Sequence, residues 1–63
     1  MNIKSFNKIE EFLKLELGLN ESTILLAVKL SYENETSLPI SMWSYGLINS
    51  DELDKFYKFL YEN

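Results

Sequence analysis

The first third of the chain has the hydrophobic spacing of an amphipathic helix. Its apolar positions recur at i, i+3, i+7 and i+11 and are Phe6, Ile9, Leu13 and Leu17. Because an α-helix has 3.6 residues per turn, this spacing places all four side chains on one face. We therefore predict a helix over residues 5–17, with Ser5 as its N-cap and Gly18 as the residue that ends it.

The next segment is apolar on almost every side, since residues 24–30 read ILLAVKL. Asn20 as N-cap places Leu19 and Ile24 at the two positions of a hydrophobic staple. We interpret this segment as the central helix of a bundle, covered by the other elements. The alternative is a β-strand, because a short apolar run does not distinguish a strand from a buried helix. Residues 33–37 would then turn a hairpin at about 23–45, within an α+β fold.

A third, shorter helix is predicted after this polar turn. Pro39 is tolerated in a first helical turn, so Ser37 or Leu38 is the expected cap. The helix runs for about two turns, through Tyr45, and Gly46 has the position of the glycine that ends it.

The fourth predicted helix has the clearest local signals. Asn49 and Glu52 have the spacing of a capping box, with Ile48 and Leu53 as its staple. Its expected buried stripe is Leu53, Phe56, Tyr57 and Leu60. The whole pattern predicts an all-α fold, a single domain over residues 1–63 with three to four short helices.

Composition narrows the chemistry that the chain can perform. The sequence is 46% hydrophobic and contains no Cys, His or Arg. These absences exclude disulfides, zinc sites built on Cys or His, and catalysis by a thiol or an imidazole. No arrangement of Ser, Lys, Tyr and carboxylates has the pattern of a nucleophile beside its base. We predict that the protein is not an enzyme, and that it needs no cofactor and no metal.

Charge and hydropathy also limit the partners. The net charge is −4, and residues 32–63 hold two Lys against six acids. Nucleic acids are bound through clustered basic residues, so we expect no nucleic-acid partner. The longest apolar run is the five residues from Ile24 to Val28, whereas a membrane span needs about 20 residues. We expect no membrane span, and with no secretory signal pattern at the start, a cytoplasmic location.

The second half resembles a known group of short proteins. The matching residues are Leu38, Pro39, Trp43, Tyr45, Gly46, Leu47, Ile48, Leu53 and Asp54, in the pattern L-P-x-x-x-W-x-Y-G-L-I-x-x-x-x-L-D. This pattern is similar to that of short, uncharacterised cyanobacterial proteins, and residues 9–30 fit their first half more loosely. The resemblance implies a cytosolic helical protein and implies no activity.

A more distant likeness concerns the N-terminal domains of type II secretion and type IV pilus assembly ATPases. Their motif, which binds a cyclic dinucleotide in some members, is similar in its apolar and turn positions to residues 38–53. Ser37 and Pro39 stand where that motif has Arg and Gly, so the guanidinium and the close backbone approach are both lost. A small-ligand sensor with a degenerate motif is therefore the alternative function.

The residues that we single out are four aromatic residues of the second half and one acid: Trp43, Tyr45, Phe59, Tyr61 and Asp51. A chain of 63 residues cannot easily cover nine aromatic side chains. Trp43 is expected in the core more often than on the surface; if it is exposed, it becomes an anchor for a partner. We predict a small protein-interaction module that docks onto a larger partner or forms a homodimer. Acids around Asp51 would orient a basic partner.

Overall fold

The computed structural model describes residues 6–62, and within them the chain forms four helices and no strand. These helices are α1 (Phe6–Leu15), α2 (Glu21–Glu33), α3 (Leu38–Ser44) and α4 (Ser50–Tyr61). The all-α prediction is confirmed, and the alternative hairpin at 23–45 is wrong because both of its arms are helical. The radius of gyration is 10.8 Å, close to the value of about 10.6 Å for a compact chain of this length.

Side-chain caps start three of the helices where the sequence predicted them. The Asn20 side chain accepts a hydrogen bond from the Thr23 N–H at 2.8 Å and begins α2. Ser37 accepts from the Ile40 N–H at 3.4 Å and begins α3, with Pro39 in its first turn. These bonds satisfy backbone donors that have no partner inside the helix. Ser5, the predicted cap of α1, lies outside the described residues.

The N-terminus of α4 is a complete capping box. The Glu52 N–H donates to the Asn49 side chain at 2.8 Å, and the Asn49 N–H donates to the Glu52 carboxylate at 2.9 Å. Ile48, the predicted staple residue before the cap, is buried. The prediction for this corner is confirmed.

The first helix ends two residues earlier than predicted. It stops at Leu15, and the Leu19 N–H closes the corner by donating to the Leu13 carbonyl at 3.0 Å. Gly18 has a φ of 67°, as the predicted stop requires. Leu17 therefore lies beyond the helix and packs against the core from the corner. Phe6, also expected on the buried face, is 44% exposed.

The core takes residues from every helix and from one corner. Its buried apolar residues are Leu13, Ile24, Ala27, Met42, Ile48 and Phe56. Phe12 joins α1 to α4, because its ring centroid lies 5.8 Å from that of Phe56 and 4.2 Å from that of Phe59.

The prediction that α2 is covered on all sides is wrong. Ile24 and Ala27 are buried, whereas Leu25 is 54% exposed and Leu26 is 47% exposed. Tyr32, which lies about two helical turns after Leu25 on the same side of α2, is 80% exposed. The helices that pack against α2 are α1 and α3, and they cover only its inner side, so its outer apolar side chains stay in contact with solvent.

Candidate interaction surfaces

Trp43 lies at the corner between α3 and α4. Its side chain is 46% exposed, and its indole N–H donates to the Ser50 hydroxyl at 3.4 Å. The expectation that Trp43 belongs to the core is therefore wrong. The reason is its position in the last turn of a helix of seven residues, where Met42 takes the inward position and the indole lies over the start of α4.

Tyr45 is directed to a different neighbour. It is 53% exposed, and its hydroxyl accepts a hydrogen bond at 2.9 Å from the side-chain amide of Asn34. Asn34 is the C-cap of α2 and also donates to the Leu30 carbonyl at 2.9 Å. Trp43 thus lies against α4 and Tyr45 against the end of α2, so the two rings diverge.

Phe59 and Tyr61 do not share a surface either. Residues two apart on a helix are about 160° apart around its axis. Phe59 is half-buried and stacks on Phe12, with the two rings 12° from parallel. Tyr61 is 80% exposed and stacks on Tyr57 at a centroid distance of 6.1 Å. The five predicted residues are therefore distributed over several parts of the surface.

One of these parts is a stripe along α4 that begins at Trp43. Ser50, which bonds to the indole, is followed at i+4, i+7 and i+11 by residues on the same side of the helix. We call this stripe the aromatic face; it consists of Trp43, Ser50, Asp54, Tyr57 and Tyr61. Asp51 is exposed but lies one residue, about 100°, away from Ser50 around the axis. The acid on the aromatic face is therefore Asp54, whose carboxylate is 3.8 Å from the Lys58 ammonium.

A second surface, which the sequence pattern does not predict, is an open groove between α1 and α4. It has a volume of about 510 Å³, within the range typical of binding clefts. We call it the α1–α4 groove. Its apolar residues are Phe12, Leu15 and Phe59, and its charged residues are Lys8, Glu11, Glu16, Lys55, Lys58 and Glu62. Leu15 is 75% exposed.

A signal for this groove is present in the spacing of each helix. Lys8, Phe12 and Leu15 follow an i, i+4, i+7 pattern in α1, and the same spacing recurs in Lys55, Phe59 and Glu62, of which Glu62 is the C-cap that follows α4. Each helix therefore has one mixed charged and apolar side in addition to the side that it buries. The sequence alone does not show that these two sides lie next to each other, because this depends on how α1 packs against α4.

The residues in the dinucleotide-like motif have structural roles. Ser37 caps α3 with its hydroxyl, and Pro39 is buried in the first turn. Gly46 has a φ of 73° and ends α3. Within residues 6–62, no group of three or more acids is placed to hold a metal ion. Among the described helices, none is long and apolar enough to cross a membrane.

The geometry defines a small four-helix protein, within the described residues, whose surface carries an aromatic stripe and a charged groove with apolar side chains. Comparison with protein families gives a match over residues 7–61 to the family described as "Protein of unknown function (DUF2949)". The chain belongs to this family, which covers all four helices except the first residue of α1. Comparisons with curated proteins and with solved structures give no match.

Proposed function

We propose that this protein is a non-enzymatic interaction module of the cytoplasm that docks onto a basic protein partner through its aromatic face. The observation that carries the proposal is the balance of exposed and buried apolar side chains. In residues 6–62, eight large apolar side chains are exposed, among them Trp43 and Tyr61 of the aromatic face, whereas six apolar residues are buried. Exposed apolar surface that is rimmed by polar residues is typical of interaction sites.

The residue types of the aromatic face favour a protein as the ligand. Trp and Tyr are the most frequent anchors of protein interfaces, because they bury a large area with few rotatable bonds. Trp43 and Tyr61 supply two such anchors at the two ends of the stripe, with exposures of 46% and 80%. Tyr57, stacked on Tyr61, holds the second anchor in place.

Charge favours a basic partner over an acidic one. Asp54 lies within the aromatic face. Asp51 and Glu52 follow Ser50 in the first turn of α4. Opposite charges at the rim of an interface increase the association rate and reject partners of like charge. A partner with a net positive surface would therefore approach this end of α4 preferentially.

The experiment is affinity capture followed by titration of the purified partner. We propose a cyanobacterial origin from the resemblance of residues 38–54, so a cyanobacterial lysate is the starting material. A captured protein is identified by mass spectrometry, purified, and titrated by isothermal titration calorimetry, a readout that does not depend on the single tryptophan, Trp43. Tyr61→Ala should weaken binding at least about tenfold, as expected for an interface anchor.

Tyr32→Ala is the matched control for Tyr61→Ala. Both tyrosines are on helices and both are 80% exposed, but Tyr32 lies on α2, away from the aromatic face. Binding by Tyr32→Ala should equal that of the wild type. If Tyr61→Ala and Trp43→Ala both bind the partner as tightly as the wild type does, the aromatic face is not the docking site.

A further inference from the structure

The α1–α4 groove differs in charge from the rest of this acidic protein. It is lined by three of the six lysines and by three of the ten acids of the chain. The groove is therefore electrically neutral, and the whole net charge of −4 lies on the remaining residues. Two copies of the chain repel each other over most of their surface, but this repulsion is absent where two grooves face each other.

The groove also combines a projecting apolar side chain with an open space. Leu15, at the end of α1, is 75% exposed, although it borders a cleft of about 510 Å³. The stacked rings of Phe12 and Phe59 lie in the same cleft. A two-fold symmetric contact uses the same surface on both copies, so that surface must be complementary to itself. A surface with both a projection and a cavity meets this condition, because the projection of each copy can enter the cavity of the other.

We propose that the α1–α4 groove is the contact surface of a symmetric homodimer. In this contact, Leu15 of each copy inserts beside Phe12 and Phe59 of the other copy. Both charge signs occur on both sides of the groove: Lys8 and Glu11 lie on α1, and Lys55 lies on α4, which Glu62 follows as the C-cap. A two-fold operation can therefore bring lysines opposite glutamates, whereas a strongly basic or strongly acidic partner would meet as many like charges as opposite ones.

Small size gives a second reason for self-association through this surface. A chain of about 60 residues buries only about 60% of the surface that its unfolded form exposes. Small domains without disulfides or metals often gain stability by oligomerisation. This chain has no cysteine, and covering Leu15 and the two rings would extend its apolar core across the two-fold axis. The inference concerns a different surface from the aromatic face and does not rest on the proposed function.

The experiment measures the molar mass by sedimentation equilibrium from micromolar to submillimolar concentration. The wild type should show a reversible monomer–dimer equilibrium. Leu15→Lys should weaken the dimer at least about tenfold, because each dimer contains the substitution twice in a desolvated position. Leu15 is exposed at the end of its helix, so the variant is expected to fold, which circular dichroism checks.

Leu25→Lys is the matched control, since Leu25 is an exposed leucine on α2, outside the groove, with 54% exposure. It should dimerise like the wild type. A wild type that stays monomeric at every concentration overturns the homodimer and leaves partner capture by the aromatic face unaffected. Dissociation by Leu25→Lys but not by Leu15→Lys places the contact on α2 and also overturns the inference, as does open-ended growth beyond dimers.

Discussion

At the scale of single residues, Glu35 has the least favourable backbone conformation among the described residues. Its φ is 53°, in the left-handed region, and it is the one non-glycine residue with a positive φ in residues 6–62. The Thr36 N–H donates to the Ser31 carbonyl at 3.0 Å and the Glu35 N–H to the Tyr32 carbonyl at 3.3 Å. This is the closing pattern of a helix C-terminus that normally uses glycine.

The corner after α3 has the same pattern with the usual residue. There the Leu47 N–H donates to the Met42 carbonyl at 2.8 Å and the Gly46 N–H to the Trp43 carbonyl at 3.1 Å. A residue with a Cβ pays about 1–2 kcal/mol to adopt this conformation, whereas glycine does not. Glu35 therefore carries strain at a position where Gly46 carries none.

We predict that Glu35→Gly increases the free energy of unfolding by about 0.5–1 kcal/mol, the relief of strain being partly offset by the greater chain entropy of glycine. Urea denaturation followed by circular dichroism measures this change. Glu33→Gly is the control, because Glu33 is the last helical residue of α2, and there glycine should lower stability. Destabilisation of the same size by both substitutions would contradict the account of Glu35.

At the scale of elements, the capping box of α4 makes the start of this helix depend on two side chains. We predict that Asn49→Ala lowers the free energy of unfolding by about 1 kcal/mol, because the Glu52 N–H loses its acceptor at 2.8 Å. Asn49→Asp retains an acceptor and adds a negative charge, which is favourable at a helix N-terminus, so it should keep at least wild-type stability. Chemical denaturation of the two variants side by side is the measurement; equal losses would show that the cap contributes little.

The helix boundaries were predictable because their signals are local. Asn20, Ser37 and Asn49 each act through a backbone N–H three residues ahead, and Gly46 acts within its own corner. Such signals need no knowledge of the rest of the chain. The end of α1 differs from the predicted end at residue 17. The helix stops at Leu15, and the Leu19 N–H reaches back across the corner to the Leu13 carbonyl, a bond that the hydrophobic spacing does not indicate.

The exposure of apolar side chains was not predictable in the same way. Leu25 and Ile24 are neighbours in one apolar run, yet Ile24 is buried and Leu25 is 54% exposed. Which side of α2 is covered depends on where α1 and α3 pack, and the run itself contains no such information. The separation of Phe59 from Tyr61 could have been inferred, since residues two apart on a helix never share a side.

At the scale of the whole molecule, the two candidate surfaces lie on adjacent sides of α4, and the ion pair between Asp54 of the aromatic face and Lys58 of the groove joins them. Lys55 and Phe59 line the groove, whereas Asp54 and Tyr61 belong to the aromatic face. A symmetric dimer formed through the groove would leave the two anchors Trp43 and Tyr61 uncovered, because neither of them lines the groove. Two docking sites in one particle raise the avidity for a partner that is itself repeated or clustered, without any new contact. The homodimer and the docking proposal are therefore compatible.

Dimerisation through the groove would also couple stability to protein concentration. A dimer that forms only from folded chains stabilises the folded state by mass action. Each tenfold increase in protein concentration raises the free energy of unfolding by about 1.4 kcal per mole of dimer. In a domain of this size, such a change shifts Tm by several degrees. We predict that the Tm of the wild type rises with concentration, as measured by circular dichroism in cells of different path length.

The two leucine variants give this prediction its control. Leu15→Lys removes the apolar projection from the groove and weakens the dimer, so at each concentration its Tm should lie below that of the wild type and begin to rise only at a concentration at least about tenfold higher. Leu25→Lys should keep the concentration dependence, because Leu25 lies on α2, outside the groove. A wild-type Tm that is constant across the concentration range would mean that a single copy of the chain is stable by itself, with the four helices and six buried apolar residues seen in residues 6–62. The exposed leucine and the neutral groove would then have no part in holding the fold together.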